Sequence, residues 1–136
     1  MDPPRILQRV IYGRDSVILE EKRSYKMKTK IVGCGTAKIG QNAQENWVLL
    51  EDSSPHHLFF HLTSFPSCYL IFSYPEDEKI TETIKIELAQ LCLMNTKYKK
   101  AKNIKVDCTT CKNIKKGGVI GEVVYKSNRK VQVIKI

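Results

Sequence analysis

The sequence predicts a single α+β domain: a mixed, mostly antiparallel sheet of five to seven strands with one long helix and one short helix. Two apolar runs, at 58–62 and 68–72, are typical of buried strands. Apolar residues recur at helical spacing between residues 80 and 92, and the last two runs, 119–125 and 131–136, alternate apolar and polar side chains. With 136 residues, 42% of them hydrophobic, the chain suffices for one core and is too short for two domains of ordinary size.

The first 28 residues are predicted to form an amino-terminal extension. Within it, Gly13-Arg14-Asp15 separates two short β-branched or aromatic runs, which predicts a small hairpin. Residues 29–32 predict a strand at the start of the main domain, which spans 29–136. Three glycines then predict a loop that leads into a helix: Gly33, Gly35 and Gly40.

The short helix is predicted over 42–50. Ala43, Trp47 and Leu50 lie at helical spacing, and Asn42 or Gln41 is available to cap the first turn. A turn at 52–55, which contains proline, ends the helix. The two apolar runs that follow predict two buried strands joined by a short connection.

The long helix has the clearest periodicity in the chain. Its apolar side chains are spaced by four, four and three residues, at Ile80, Ile84, Leu88 and Leu91. Thr81 is a suitable N-cap, with Glu82 just inside the helix. The helix is predicted to end in Lys97-Tyr98-Lys99-Lys100, where cations suit the negative end of the helix dipole.

After the long helix come Ile104-Lys105-Val106, a polar stretch through Lys116 and a turn predicted at Gly117-Gly118. The final alternating runs, 119–125 and 131–136, are predicted to pair with each other as a hairpin.

Positive charge is concentrated at one end of the sequence. From residue 97 to residue 136 there are twelve basic and two acidic residues, a net charge of +10, whereas the first 96 residues hold eleven basic and twelve acidic. A segment of this kind attracts polyanions, of which a phosphate backbone is the commonest. A solvated lysine-rich face that serves only solubility is the simpler alternative.

Composition also limits where the protein acts. No apolar run approaches the ~18 residues that a membrane span needs, and residues 1–23 lack the pattern of a signal peptide, so we expect no membrane association and a cytoplasmic protein. The five cysteines are odd in number and scattered, which is typical of reduced cysteines packed as small apolar side chains.

The sequence offers no convincing catalytic set, metal site or cofactor site. Cys108-Thr109-Thr110-Cys111 is a CxxC pattern, but a structural zinc site needs a second ligand pair. Cys68 and His61 would approach each other if their strands pair, yet both residue types are more often core or near-core side chains. Gly33-Cys34-Gly35 lacks the further glycines of a dinucleotide fingerprint and the lysine of a P-loop. We therefore predict that the protein is not an enzyme.

A nucleic-acid interface explains more features of the sequence than a catalytic, metal or cofactor site does. Because lysine outnumbers arginine, we expect recognition of charge and shape rather than of base sequence, on a single cationic surface. Tyr98 and Tyr125 lie among the basic residues, either stacking on bases or packing at the edge of the core. The predicted contact residues are Lys97, Lys99, Lys100, Lys102, Lys105, Lys112, Asn113, Lys115, Lys116, Lys126, Arg129 and Lys130. Asn42, Asn46, His61 and Tyr98 are predicted to shape the neighbouring surface.

The order of these features resembles the NFACT-R domain family, the C-terminal RNA-binding module of the NEMF and RqcH proteins of ribosome-associated quality control. The resemblance covers residues 29–136, although His57 and Phe59 stand where the family has an acidic residue and a tryptophan. The segments that carry it are Ile39–Asn46, His57–His61, Ser64–Tyr69, Glu87–Leu91, Lys99–Asn103, Val106–Lys116, Gly121–Tyr125 and Arg129–Val133.

The resemblance implies a non-catalytic module that binds tRNA or rRNA, with the large ribosomal subunit as a further partner. Double-stranded DNA is an alternative ligand, because charge alone does not distinguish the two sugars. A protein-interaction adaptor with a basic docking face is the alternative from another functional class.

Overall fold

The computed structural model describes residues 27–136 and the backbone of two short strands before them, β1 (Tyr12–Gly13) and β2 (Asp15–Ser16). These two strands pair antiparallel, Tyr12 with Ser16 and Gly13 with Asp15, as the predicted hairpin requires. Other predictions for the amino-terminal extension, apart from residues 27 and 28, lie outside the described residues.

The main sheet has six strands in the order β10-β7-β5-β6-β4-β3, and all five pairings within it are antiparallel. A second, two-stranded sheet is formed by β8 and β9. The predicted fold class is therefore confirmed. The strands and helices are β3 (Lys28–Val32), β4 (Gly35–Ile39), α1 (Ala43–Glu51), β5 (Leu58–Leu62), β6 (Leu70–Ser73), α2 (Glu82–Met94), β7 (Lys105–Thr110), β8 (Ile114–Lys116), β9 (Val123–Tyr125) and β10 (Gln132–Lys135).

The helix α2 covers one face of the main sheet. Its buried side chains Leu88, Ala89 and Cys92 pack on alternate residues of the central strands, among them Phe60 and Phe72, both without exposed surface. Burial of each large side chain contributes about 1.5–3 kcal/mol to the hydrophobic stabilisation of this face. The periodic helix of the sequence thus covers the larger of the two core clusters.

The opposite face of the sheet is covered by α1 and the β8–β9 hairpin. Phe59 and Ile71 of the sheet contact Leu49 of α1 and Ile114 of β8, and Tyr125 of β9 packs beside them. Because successive residues of a strand point to opposite faces, β5 contributes Phe60 to one core and Phe59 to the other. This alternation explains why its sequence is apolar almost throughout.

The loop predicted at Gly33, Gly35 and Gly40 is wrong, because residues 35–39 form β4 and pair with both β3 and β6. Gly33 adopts a positive φ of 55°, a conformation that glycine takes without strain and that suits a tight turn between β3 and β4. At Gly35, a side chain's Cβ would lie 2.3 Å from the backbone oxygen of Ser73. The glycines thus permit a hairpin and a close strand contact.

The hairpin predicted between the last two alternating runs is also wrong. Residues 123–125 pair with β8, and residues 132–135 return to the edge of the main sheet beside β7. The buried side chain of Asn113 holds the connection between them, since it accepts from the Ser127 N–H at 2.9 Å and donates to the Ser127 carbonyl at 2.9 Å. This anchoring directs the chain away from β9.

The helix α2 ends at Met94, three residues before the predicted lysines. Asn95 caps it by donating from its side-chain amide to the Leu91 carbonyl at 2.8 Å, and the Thr96 hydroxyl donates to the Leu93 carbonyl at 2.8 Å. The last helical carbonyls are therefore satisfied by short polar side chains, and the lysines lie in the turn that follows. No helix in the described residues is long and apolar enough to cross a membrane.

Candidate nucleic-acid interface

Four of the predicted lysines lie in one exposed segment, which we call the lysine-rich turn: Lys97, Lys99, Lys100 and Lys102. The turn closes at Asn103, which has a positive φ of 60°, a conformation that asparagine tolerates better than most residues. Within residues 27–136, no acidic side chain forms an ion pair with any lysine of this turn. Its positive charge is therefore open to an anionic ligand.

The strand topology adds further lysines to the same end of the sheet. Lys105 begins β7, and Lys135 lies directly opposite it on β10. Lys28, at the start of β3, donates from Nζ to Asn95 Oδ1 at 3.0 Å, beside the lysine-rich turn. Sequence reasoning did not place Lys28 or Lys135 in the site, because only the pairing register brings these distant residues to one edge. A groove opens at this end of the sheet, next to the start of α1, and we call this end the groove end.

The other predicted basic residues form a second group, between residues 112 and 130. Lys112 lies at the opposite end of β7, since its backbone N–H donates to the Pro55 carbonyl at 2.9 Å. The six residues of β7 separate Lys112 from the lysine-rich turn by about 20 Å. The charge is thus divided between two regions instead of the single cationic surface expected from the sequence. The second group comprises Lys112, Lys115, Lys116, Lys126, Arg129 and Lys130, all exposed.

Two residues predicted to contact nucleic acid have structural roles instead. Asn113 is buried and its amide is used within the fold, so it does not reach the exposed surface. Lys116 forms an ion pair with Glu51 of α1 and lies 4.8 Å from the centre of the Trp47 ring. These contacts join the β8–β9 hairpin to α1.

A groove with a volume of about 520 Å³ opens at the groove end, between the start of α1, the β5–β6 connection, the lysine-rich turn and residues 120–121. Asn42, Asn46 and His61, which the sequence predicts as a supporting surface, all line it together with Lys97. The structure therefore brings these residues together, although they lie up to 55 positions apart in the sequence.

Aromatic rings form the inner wall of the groove. His61 lies 5.7 Å from Tyr69 in an edge-on arrangement and 6.2 Å from Phe59 in a parallel one, measured between ring centres. Burial raises the pKa of Tyr69, whose hydroxyl donates to the Gly121 carbonyl. Tyr69 was not predicted as a site residue, because it lies within the apolar run 68–72, which the sequence predicts as a buried strand.

The start of α1 lines the groove and is capped by side chains of its own first turn. Asn42 Oδ1 accepts from the Glu45 N–H at 2.9 Å, and Glu45 Oε1 accepts from the Gln41 N–H at 2.8 Å. This arrangement resembles a capping box, except that the carboxylate accepts from the residue before the N-cap. The Glu45 carboxylate opposes the positive end of the helix dipole, and Lys97 supplies positive charge at the groove.

Asn46 connects two of the segments that line the groove. It is buried, and its Oδ1 accepts from the Tyr69 N–H at 3.2 Å, which ties α1 to β6. Gly40 approaches it so closely that an added Cβ would lie 2.1 Å from Asn46 Oδ1. Asn46 thus shapes the groove wall by fixing the backbone of Tyr69 and Gly40, which both line the groove.

Tyr98 and Tyr125, for which the sequence leaves both base stacking and core packing open, each have ring or hydroxyl contacts within the fold. Tyr125 donates from its hydroxyl to Asp107 Oδ2 at 2.7 Å and packs in the core, which explains why burial raises its pKa. Tyr98 is half-buried and stacks on Phe65 with ring centres 4.5 Å apart. Lys97 Nζ lies 5.4 Å from the Tyr98 ring. Tyr98 therefore supports the lysine-rich turn, and Tyr125 supports the β8–β9 hairpin.

Cys68 and His61 both line the groove, so the proximity expected from strand pairing is present. Cys68 contacts the end of α2, with its Sγ 3.9 Å from the Cys92 carbonyl oxygen. Cys108 and Cys111 of the CxxC pattern are both buried, where desolvation raises the pKa of each thiol. Among the described residues, no group of three histidine, cysteine, aspartate or glutamate side chains is arranged to hold a metal ion.

We expect the free energy of unfolding to be smaller at about pH 5.5 than at about pH 7.5, because folding keeps His61 neutral. Burial lowers the pKa of His61 below its ordinary 6.5, although the Leu62 backbone and the charge of Asp107 oppose this effect. The unfolded chain therefore takes up this proton at a higher pH than the folded chain does. The contribution of neutral His61 to the free energy of unfolding is present in full above pH 6.5, and it is lost as the pH falls through the pKa of the folded state.

Urea denaturation at the two pH values measures this effect. His57, whose pKa is also lowered by burial, contributes with the same sign, so His57→Gln is the comparison variant. His61→Gln should remove the larger part of the difference, since His61 is the more deeply buried of the two. Equal stability of the wild-type protein at both pH values would contradict the prediction.

No protein-family model matches this sequence, and comparison with curated proteins gives no significant match. A solved structure, described as the C-terminal part of the fibronectin/fibrinogen-binding protein from Streptococcus suis, superimposes with a TM-score of 0.70. The similarity covers 85% of this chain at 21% sequence identity and 46% of the other chain, so this chain spans less than half of that structure. At this level of identity, the chain is shown to share the fold of that domain.

Proposed function

We propose that the protein binds RNA at the groove end of its sheet, without catalysing a reaction. The observation that carries the proposal is the lysine-rich turn: four exposed lysines within six residues, beside a groove lined with side-chain amides. Lys28, Lys105 and Lys135 extend the same positive region. Phosphate groups of a nucleic-acid backbone match this arrangement of unpaired cations.

The ligand is structured RNA, recognised through charge and shape. Lysine is a point charge on a flexible stem, so it attracts phosphates without the bidentate geometry by which arginine identifies a guanine. The resemblance to the NFACT-R family supports tRNA or rRNA, and the large ribosomal subunit, as the natural partners. Membership of that family and a cytoplasmic location remain predictions that go with this proposal.

Salt dependence of binding tests the proposal. We expect a fluorescently labelled tRNA to bind with an affinity that falls steeply between about 50 and 200 mM salt, because each neutralised phosphate adds roughly 0.7–0.9 to the slope of log affinity against log salt. Fluorescence anisotropy at several salt concentrations gives this slope, and a value of about −2 or steeper is the expected result. No detectable binding at about 50 mM salt would overturn the proposal.

Double-stranded DNA serves as the competitor in the same assay. A DNA duplex of matched length and sequence has the same phosphate charge but lacks the 2′-hydroxyl and the A-form grooves. RNA should compete at least tenfold better than the DNA duplex. Equal competition would assign the surface to nucleic acids in general rather than to RNA.

A protein partner is the second candidate ligand, favoured by two observations. The edge strands β3 and β10 expose apolar side chains, Ile31 at 78% and Val133 at 48% of their surfaces. The structural neighbour is described as part of a protein that binds fibronectin and fibrinogen. Pull-down with and without nuclease separates the two candidates, because capture through RNA disappears after digestion and direct capture of a protein persists.

A further inference from the structure

We infer that the groove takes one unpaired nucleotide of the bound RNA, with its base inside the groove and its phosphate at Lys97. This inference rests on the proposed function and gives the groove a role distinct from that of the lysine-rich turn. The turn supplies affinity for any RNA backbone, whereas the groove selects RNAs in which a nucleotide is free to leave the helical stack.

The size of the groove suits such a ligand. Its volume of about 520 Å³ lies within the ~300–1,000 Å³ typical of sites for small molecules. Its walls come from five separate stretches of the chain, which surround it on several sides. A paired base cannot enter it, because the base edges of an A-form helix lie in grooves of the RNA itself.

The chemistry of the walls suits a nucleobase better than an ion or a lipid. Among the lining residues only Lys97 carries a formal charge, which matches a single phosphate. Gln41 contributes a side-chain amide, and Asn42 contributes its amide NH₂ group, because only its Oδ1 is used in capping α1. The amide of Asn95 and the hydroxyls of Ser67 and Thr96 are used within the fold. An amide both donates and accepts hydrogen bonds, as the edges of all four bases require.

The inner wall offers a flat ring against which a base can stack. His61 is held by Phe59 and Tyr69, and it remains partly exposed at the groove. Burial keeps its imidazole neutral near pH 7, so the ring has one donor and one acceptor nitrogen. Stacking of an unpaired base on an aromatic ring is worth about 1–3 kcal/mol. An affinity difference of about tenfold between RNAs with and without an unpaired base is therefore expected.

Two RNA hairpins of the same sequence test the inference, one fully paired and one with a single bulged 2-aminopurine. The wild-type protein should bind the bulged hairpin about tenfold more tightly and change its 2-aminopurine fluorescence. His61→Ala should bring the two affinities within about threefold of each other. Ile120→Trp is the second variant, because Ile120 lines the groove but is 41% exposed, so a larger ring fills the groove without disturbing the core.

Cysteine alkylation gives a readout that needs no variant. Cys68 lines the groove, whereas Cys34 is exposed in the β3–β4 turn, away from the groove, and serves as the internal control. The bulged hairpin should slow the reaction of Cys68 with iodoacetamide several-fold more than the paired hairpin does, and should leave Cys34 unchanged. Site-resolved mass spectrometry measures both rates.

The outcomes separate the two proposals. Equal affinity of the wild-type protein for the bulged and paired hairpins, with no selective protection of Cys68, overturns the groove inference and leaves RNA binding by the turn intact. Lys99→Glu with Lys100→Glu should weaken both hairpins alike, because it removes the backbone attraction that they share. Failure of the wild-type protein to bind either hairpin overturns the proposed function and, with it, the inference.

Discussion

The combined variant Lys99→Glu, Lys100→Glu and Lys102→Glu is expected to bind tRNA well over tenfold more weakly than the wild-type protein at about 100 mM salt. Each substitution removes a cation that faces phosphate and places an anion there, so attraction becomes repulsion at three adjacent positions. All three side chains are exposed and form no ion pair with a described residue, so the fold has no reason to change. Anisotropy measures the affinity, and circular dichroism and thermal melting confirm the fold.

A matched control comes from the second basic group. Lys112→Glu, Lys115→Glu and Lys126→Glu together make the same change in net charge outside the lysine-rich turn, and all three side chains are also exposed. This variant should lose only several-fold in affinity, through the long-range field of the whole protein. Unchanged RNA binding by the Lys99, Lys100 and Lys102 variant would remove the groove end from the proposal. An equal loss from both variants would mean that the RNA spans both basic groups.

Local patterns predicted those parts of the fold that depend on local interactions. The four-four-three spacing from Ile80 to Leu91 predicted α2, because a helix on a sheet buries an apolar stripe. Ile80 precedes the helix, and of this stripe only Leu88 is fully buried, with Ala89, Cys92 and Leu93 completing the buried face. Thr81 was predicted as a cap, and Asn42 was one of two candidates with Gln41, since such side-chain oxygens satisfy N–H groups only three residues away. Both apolar runs at the centre of the sheet were likewise found, at 58–62 and 70–73.

Strand pairing could not be predicted in the same way, because it depends on contacts between distant residues. The run at 119–125 looked like the partner of 131–136, yet the buried Asn113 and the hydrogen bond from Tyr125 to Asp107 bind the intervening chain elsewhere. Gly33 was predicted as part of a loop, since a positive φ marks a turn without stating whether strands flank it. Which strands pair therefore depends on how the whole core packs.

The same limitation applies to the candidate site. The lysines at 97–102 were found because they are adjacent in sequence, and Asn42, Asn46 and His61 because they lie in motifs that carry the family resemblance. Lys28 and Lys135 joined them only through the pairing of β3 and β10 with the sheet. Division of the basic residues into two groups also follows from this topology, since β7 runs the length of the sheet between them.

Gly121→Ala is expected to destabilise the protein by about 3 kcal/mol and to lower its melting temperature by roughly 10 °C. Gly121 has a φ of +89°, in a region that an alanine enters only with strain. An added Cβ would also lie 2.5 Å from the Ala43 Cβ and 2.9 Å from its Cα, and neither atom belongs to a flexible side chain. The turn must therefore move away from α1, which breaks the hydrogen bond from the Tyr69 hydroxyl to the Gly121 carbonyl and widens the groove.

Gly118→Ala is the matched control within the same turn. Its added Cβ would meet only the Glu122 Oε1 atom at 4.0 Å, an ordinary contact distance, so its melting temperature should change by no more than about 2 °C. The single tryptophan reports the expected movement directly, because Trp47 Nε1 donates to the neighbouring Glu122 carbonyl at 3.0 Å. Gly121→Ala should shift its fluorescence to longer wavelength at temperatures where the protein is still folded, and Gly118→Ala should not. If both variants melt like the wild-type protein, then the 117–122 turn does not rest on α1, and the groove lacks the wall that it supplies.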